Sequence, residues 1–331
     1  MKKLIFALFL LTIVLLSACQ STDESQNEKS HSVAVSMYPI EFLISEIAKD
    51  HVDVETVIPP GTDPHIYEPS SKKMIELSSN DAFFYIGDQM EAFGETLAGT
   101  FAEQGLSIYQ LADHKELFEQ NSDVHADESH DHNDHGEDDT ESHEQDHHEE
   151  HSGADGIHVH DYNPHFWLDP VRMSLAAEII TQDLIELYPK LEDDFNQNLE
   201  TLQNDLHELH LEFQALQDEE YTLFVTHKAF DYWTERYGIE QLSVRGVSSS
   251  QEPSQNELRK IFDEVEEHNI NHIILETISQ DRLAMTIAEE MGLRVLYMHN
   301  LEALTEENIQ QNKDYFDLMR ENINTIQKTK Q

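Results

Sequence analysis

Strand-like and helix-like segments alternate along this chain in two separate blocks. In the first block, apolar or β-branched runs alternate with helical patterns, in the order 32–38, 40–50, 52–58, 70–79, 81–87, 90–104 and 107–111. The second block repeats the alternation at 221–227, 228–237, 239–244, 255–268, 272–277, 281–291 and 293–298, and a final helix is predicted at 305–327. This order is typical of parallel sheets covered by helices. It predicts an α/β protein of two lobes, each with a mostly parallel four-stranded sheet.

A long helical pattern separates the two blocks. Asp169 and Pro170 have the character of an N-cap followed by proline at the first helical position. Helical spacing then runs to Leu187 and resumes over 191–216, which gives a helix of roughly 39 Å at about 1.5 Å per residue. We therefore predict a helical linker at 169–217 that rigidly joins an N-terminal lobe at 32–168 to a C-terminal lobe at 218–331.

The N-terminus has the pattern of an export signal. Two lysines precede an apolar run from Leu4 to Leu16, and small residues follow it up to Cys19. The letters LSAC resemble a bacterial lipoprotein box, which predicts a signal peptide at 1–18, a lipid on the Cys19 sulfur and a polar tether at 19–31. The mature chain is expected outside the cytoplasm, anchored to a membrane surface. Cys19 is the only cysteine, which excludes an internal disulfide and a thiolate zinc site.

An acidic, histidine-rich tract lies inside the first block. Residues 121–160 hold ten His and fourteen Asp or Glu, and large apolar residues are almost absent, so we expect a disordered loop that binds divalent metal weakly. Within it, HEQDH at 143–147 matches the H-E-x-x-H motif of zinc proteases, but it lacks the apolar face that such a helix needs for packing. The formal net charge of −47 argues against nucleic acid as a partner and suits a protein that attracts cations.

Four metal-ligating side chains follow predicted strands or close the first block. His65 follows the strand at 52–58, His165 lies at the end of the first block, His227 ends the strand at 221–227, and Glu302 follows the strand at 293–298. Open parallel sheets bind ligands beyond the carboxyl ends of their strands, so these residues predict a metal site in the cleft between the lobes. Glu276, which also ends a strand, remains an alternative to Glu302 as the carboxylate.

Other residues near these segments have simpler interpretations. His299 is expected at the rim or surface, and His207 and His210, three residues apart on the long helix, are expected on a solvated face. Phe166 and Trp167 are expected to pack beneath the cleft without contacting the ion.

Four segments of the chain resemble a known family. GTDPHIYEPS, NPHFWLDP, THKAFDYW and HNLEALT are similar to signature segments of the cluster A-I substrate-binding lipoproteins, of the ZnuA and AdcA kind, which feed zinc and manganese importers. The resemblance covers essentially the whole mature chain and implies metal ligands at His65, His165, His227 and a late carboxylate, for which it favours Glu302. Manganese members carry Glu at the position of His227, and three imidazoles with one carboxylate suit Zn²⁺ better than Mn²⁺.

The resemblance implies a function in transport. The chain is expected to be a monomeric zinc-binding protein, not an enzyme, that captures extracytoplasmic Zn²⁺ and delivers it to an ABC permease and its ATPase. The alternatives are a manganese-binding ABC component, a surface adhesin lipoprotein and a zinc hydrolase. A hydrolase would need an open position on the metal, whereas four protein ligands close the site.

Overall fold

A computed structural model describes residues 31–87, 90–119, 163–250, 252–278 and 281–330 of the chain. Ser32–Gln331 forms one compact unit. The predicted signal peptide, the tether up to residue 30 with Cys19, and the tract at 121–160 with its HEQDH motif lie outside the described residues. Among the described residues, no helix combines the length and apolar character that a membrane span requires.

The first lobe is built on a four-stranded sheet in the order β2-β1-β3-β4. The strands are β1 (His31–Val35), β2 (Val52–Thr56), β3 (Ala82–Tyr85) and β4 (Ser107–Gln110). Strand β1 pairs parallel with β3, and β3 pairs parallel with β4. The connecting helices are α1 (Tyr38–Ala48), α2 (Ser71–Leu77) and α3 (Gly94–Gln104). Strand β3 is buried along its whole length, as a central strand covered on both faces should be.

Two consecutive helices connect the lobes. Helix α4 (Pro170–Leu187) starts at Asp169, whose side chain accepts a hydrogen bond from the backbone N–H of Val171, so the predicted N-cap is confirmed. A 3₁₀ turn at Pro189–Leu191 separates it from α5 (Glu192–Gln214), which is 23 residues long. Helix α5 packs along α4 and also contacts α1.

The second lobe repeats the topology of the first, with strand order β6-β5-β7-β8. Its strands are β5 (Tyr221–Val225), β6 (Ile239–Ser243), β7 (His272–Glu276) and β8 (Arg294–Met298), and every pair is parallel. Its helices are α6 (Asp231–Tyr237), α7 (Gln255–Glu267), α8 (Arg282–Met291), α9 (Glu306–Gln310) and α10 (Tyr315–Lys328). Ser254 and Glu257 form a capping box at the start of α7.

The predicted fold class is therefore confirmed, and one predicted element is wrong. A single helix was expected at 305–327, but the chain leaves the helical conformation at Asn312, whose φ is 51°, and restarts at Asp314. The Asp314 side chain accepts from the N–H of Asp317, so a capping box begins α10 after the break. The lobe boundaries at 168 and 217 stay predictions, because residues 32–331 form one compact unit.

The two lobes share a hydrophobic core. One continuous cluster of buried residues contains side chains from both sheets, α1, α4, α5 and α10. Phe42 of α1 stacks on Tyr315 of α10 with ring centroids 5.0 Å apart, and Phe213 of α5 lies 5.1 Å from Trp233 of α6. Since burial of such aromatic side chains is strongly stabilising, movements of one lobe against the other are expected to be small.

Helix α5 offers a matched test of this shared core. Leu209 is fully buried in it, whereas Leu211 on the same helix is 47% exposed. Leu209→Ala is expected to lower the free energy of unfolding by about 2–5 kcal/mol, because it leaves a cavity. Leu211→Ala should change it by less than about 0.5 kcal/mol. Urea denaturation of both variants measures the difference, and equal effects would contradict the position of α5 in the core.

Candidate metal centre

Three imidazoles and one carboxylate converge on a single point. One ligand atom from each of His65, His165, His227 and Glu302 lies within 4.8 Å of the others. Oε1 of Glu302 lies 3.2 Å from Nε2 of His165, 3.5 Å from Nε2 of His65 and 3.7 Å from Nε2 of His227. The Nε2 atoms of His165 and His227 are 3.3 Å apart. The structure thus brings together all four side chains that the sequence proposed.

These separations fit one small cation. A Zn²⁺ ion bound tetrahedrally at about 2.0–2.1 Å from each donor holds neighbouring donors about 3.3 Å apart. The four donor pairs at 3.2–3.7 Å lie close to that value. The side chains are also enclosed: those of His165, His227 and Glu302 are at most 1% exposed, and that of His65 is 3% exposed.

His65 lies in the loop between β2 and α2. Gly61 adopts a φ of +69°, which favours glycine, and its N–H donates to the carbonyl of Leu304 at 2.7 Å. The Asp63 carboxylate accepts from the N–H of His65 at 2.9 Å. Both ring nitrogens of His65 are buried and have no hydrogen-bond partner among the described residues. Because an unpartnered buried polar group is costly, this imidazole suits a position that binds a metal.

His165 is oriented by its near neighbour Asn163. Nδ1 of His165 lies 2.6 Å from Oδ1 of Asn163. An amide oxygen accepts only, so Nδ1 carries the proton and the lone pair of Nε2 points at the cluster. The ring lies 5.1 Å from the Trp167 ring, whose indole N–H donates to the carbonyl of Asn300 at 2.8 Å. Phe166 and Trp167 are fully buried, as expected for packing beneath the cleft.

His227 is oriented by Glu276. Nδ1 of His227 and the hydroxyl of Thr226 both hydrogen bond to Oε1 of Glu276. Oε2 of Glu276 accepts from the amide of Asn300 at 2.9 Å. Such a carboxylate–histidine pair fixes the ring and its tautomer behind a metal ligand. Glu276 therefore faces the far side of the imidazole, whereas Glu302 faces the side on which the other donors converge.

Glu302 reaches the cluster from the loop after β8. Leu301 has a φ of 59°, and the N–H of Glu302 donates to Oδ1 of Asn300 at 3.3 Å. The carbonyl of Glu302 accepts from the N–H of Tyr38, at the start of α1, at 3.3 Å. The backbone that presents this carboxylate is thus hydrogen bonded to the first lobe.

The pKa values show how the charges are arranged. Burial lowers the pKa of His165 to about 4, although Glu302 opposes the shift, so this ring is neutral near pH 7. Burial acts to lower the pKa of His227, but the charge and hydrogen bond of Glu276 outweigh it and raise the pKa to about 9. Burial alone would raise the pKa of Glu302, yet the surrounding imidazoles hold it far below its usual range. Glu302 is therefore ionised near neutral pH.

A cavity of about 360 Å³ adjoins the cluster. His227, Glu276 and Asp63 contribute to its lining, together with Ser249 of the loop after β6. The hydroxyl of Ser249 donates to Oδ2 of Asp63 at 2.8 Å. This contact joins the loop that carries His65 to the second lobe beside the cavity.

The other histidines that the sequence analysis singled out, His299, His207 and His210, lie outside the cluster. The expected rim position of His299 is wrong: it is 3% exposed, and its Nε2 lies 3.1 Å from Oδ1 of Asn308. It is buried because α10 covers the end of β8, where the Asn322 side chain bonds both backbone polar groups of His299. His207 is exposed as expected, but His210 is half-buried and contacts the Tyr237 hydroxyl at 2.9 Å.

Comparisons with known proteins place the chain in a family. The family described as "Zinc-uptake complex component A periplasmic" matches residues 33–329. The zinc-binding protein AdcA of Streptococcus pyogenes serotype M3 is 29% identical over 334 aligned residues, which cover 99% of this chain. The chain spans only 61% of the length of that relative.

Two solved structures are similar in fold. The Zn(II)-bound ZnuA-like domain of Streptococcus pneumoniae AdcA is 25% identical, with a TM-score of 0.66, over 91% of this chain and 98% of that one. A mutant of the laminin-binding adhesin Lmb of Streptococcus agalactiae is 25% identical, with a TM-score of 0.70, over 90% of this chain and 99% of that one. Because the family match extends over nearly the whole described unit, this chain belongs to the ZnuA family of zinc-uptake complex components.

Proposed function

We propose that this protein is a high-affinity zinc-binding lipoprotein that captures extracytoplasmic Zn²⁺ and delivers it to an ABC importer. The observation that carries the proposal is the convergence of three imidazole Nε2 atoms on one carboxylate oxygen of Glu302. His65, His165, His227 and Glu302 are the proposed ligands, and Zn²⁺ is the transported ion. The names of the relatives, a zinc-binding protein and a Zn(II)-bound domain, support the same choice of metal.

The donor set favours binding over catalysis. Three imidazoles and one carboxylate complete a tetrahedral zinc site, so no position is left for an activated water. Imidazole also suits Zn²⁺ better than Mn²⁺, which prefers oxygen donors. The role is thus that of a carrier and not of a hydrolase.

Delivery would require partners and an anchor. We propose an ABC permease with its ATPase as the recipient of zinc, a monomeric carrier, and lipid attachment through Cys19 at the membrane surface. The shared core of the two lobes favours loading by loop movement over wide closure. The side chain of His65 is the best candidate for a local movement, since its ring has no hydrogen-bond partner among the described residues to hold it without metal.

An adhesin is the second candidate, favoured by the fold shared with the laminin-binding Lmb of S. agalactiae. Adhesion would use exposed surface, whereas the four proposed ligands have side chains that are at most 3% exposed. Substitution of the ligands should therefore leave adhesion unchanged while zinc-limited growth fails. If cells that lack the protein grow normally under zinc starvation, the result favours the adhesin function over zinc uptake.

Removal of proposed ligands tests the zinc site directly. His65→Ala and Glu302→Ala are each expected to weaken tight zinc binding at least about 100-fold, since loss of a ligand exceeds the 10–100-fold effect of an outer partner. The matched control is His272→Ala, which removes a His that is 4% exposed at the start of β7. Metal content by mass spectrometry and titration with Zn²⁺ and Mn²⁺ provide the measurement. A chain lacking residues 123–155 should keep one tight ion and lose weaker ones.

Three outcomes of that experiment would contradict the proposal. The first is purified wild-type protein without a tight zinc ion. The second is retention of tight zinc in Glu302→Ala, and the third is tighter binding of Mn²⁺ than of Zn²⁺, which would favour the manganese alternative.

Zinc affinity should depend on pH. The pKa of His227 is raised to about 9 in the metal-free protein, so its ring is protonated at pH 7 and must lose a proton before Nε2 can bind zinc. Affinity is therefore expected to rise with pH up to about 9, by about tenfold per pH unit for each proton displaced. Calorimetric titrations at pH 5.5 and 7.5, in buffers of different ionisation enthalpy, measure both affinity and proton release. Equal affinity at the two pH values would contradict this expectation.

A further inference from the structure

Asn163 uses every polar atom of its side chain. Its Oδ1 accepts from the backbone N–H of His165 at 3.0 Å and faces Nδ1 of the same residue at 2.6 Å. Its Nδ2 donates to the carbonyl of Lys228 at 2.8 Å and to Oδ2 of Asp231 at 3.0 Å. Asn163 is only 7% exposed, so these contacts are shielded from competing water.

The orientation of this amide follows from its partners. The backbone N–H of His165 can only donate, so the atom facing it must be the amide oxygen. The carbonyl of Lys228 can only accept, so the atom facing it must be the amide nitrogen. Both assignments agree, and they require the proton of His165 to sit on Nδ1.

Asn163 also joins two ligand-bearing segments. His165 lies just before α4, whereas Lys228 directly follows His227 after β5. Asp231 begins α6 and is itself held by Gln241, whose Nε2 donates to Oδ1 at 2.6 Å. The hydroxyl of Tyr232 donates to the Asn163 carbonyl. The amide therefore lies between the loop of one lobe and the first turn of a helix in the other.

We infer that Asn163 is a positioning residue of the zinc site. It fixes the tautomer of His165 and the position of His165 relative to His227. The inference rests on the proposed function, because it assigns Asn163 a role only if the cluster binds zinc. A neutral histidine can ligate through Nε2 only when its proton is on Nδ1, and partners of this kind typically change metal affinity 10–100-fold. The polar atoms of the Asn163 side chain all bond to protein groups, so Asn163 is not among the proposed ligands.

Two substitutions separate the two roles. Asn163→Ala removes all four side-chain contacts, so zinc affinity is expected to fall 10–100-fold and His165 to populate both tautomers. Asn163→Asp keeps an acceptor for Nδ1–H of His165 but puts a carboxylate oxygen against the Lys228 carbonyl and the Asp231 carboxylate. This variant should keep the tautomer and still lose affinity. The matched control is Asn198→Ala, which removes a half-buried amide that donates to the Ile47 carbonyl at 2.9 Å.

The measurements are zinc titration, thermal unfolding of the metal-free chains, and ¹⁵N chemical shifts of the His165 ring. Asn163→Ala affinity within threefold of wild type would overturn the inference. A loss of affinity with an unchanged His165 tautomer would show a merely structural role and would overturn it too. Wild-type affinity in Asn163→Asp would contradict the link between the two segments. Failure of the wild-type chain to bind zinc would instead refute the proposed function, so the two failures are distinct.

Discussion

The site depends on one carboxylate oxygen, Oε1 of Glu302, that lies against three imidazole nitrogens inside the protein. Water is largely excluded there, so polar atoms without partners are costly. Hydrogen bonds satisfy the Nδ1 atoms of His165 and His227, whereas the ring of His65 has no hydrogen-bond partner within the described parts of the chain. A cation at the shared point would satisfy all four side chains at once. That requirement explains why the ligands come from separate loops that the fold must hold at a fixed distance.

The fold meets this requirement by joining the lobes firmly. Helices α4 and α5 lie between the two sheets in sequence, and one hydrophobic cluster runs through both lobes. Hydrogen bonds across the cleft add to the packing, such as Ser249 to Asp63 and the N–H of Gly61 to the carbonyl of Leu304. The loops that carry the ligands are therefore held firmly, including the loop of His65, which makes both of these hydrogen bonds to the second lobe. Rigid support of this kind keeps a binding site close to its bound geometry.

Much of this arrangement could be predicted from the sequence because it depends on local patterns. Strands such as β3 are short apolar runs, and the capping box at Ser254 is a sequence signature. The predicted ends of β5 and β8 identify His227 and Glu302 as candidate ligands. The resemblance favours Glu302 over Glu276, but the positions of the strands alone do not distinguish them, since both residues lie at or just beyond a strand end. Only the folded chain shows that Glu276 faces Nδ1 of His227.

The role of Asn163 could not be predicted from the sequence, because it depends on partners 65 and 68 residues away. Its position two residues before His165 is the one signal that the sequence offers. The burial of His299 depends on the docking of α10.

X-ray absorption at the zinc edge of the zinc-loaded protein tests the central claim most directly, because it reports the atoms bound to the ion. For a chain loaded with one equivalent of zinc, the account predicts four nitrogen or oxygen donors at about 2.0–2.1 Å, with the scattering pattern of three imidazoles. Six donors that are mostly oxygen, at longer distances from the ion, or scattering from fewer than three imidazoles, would contradict the proposed site.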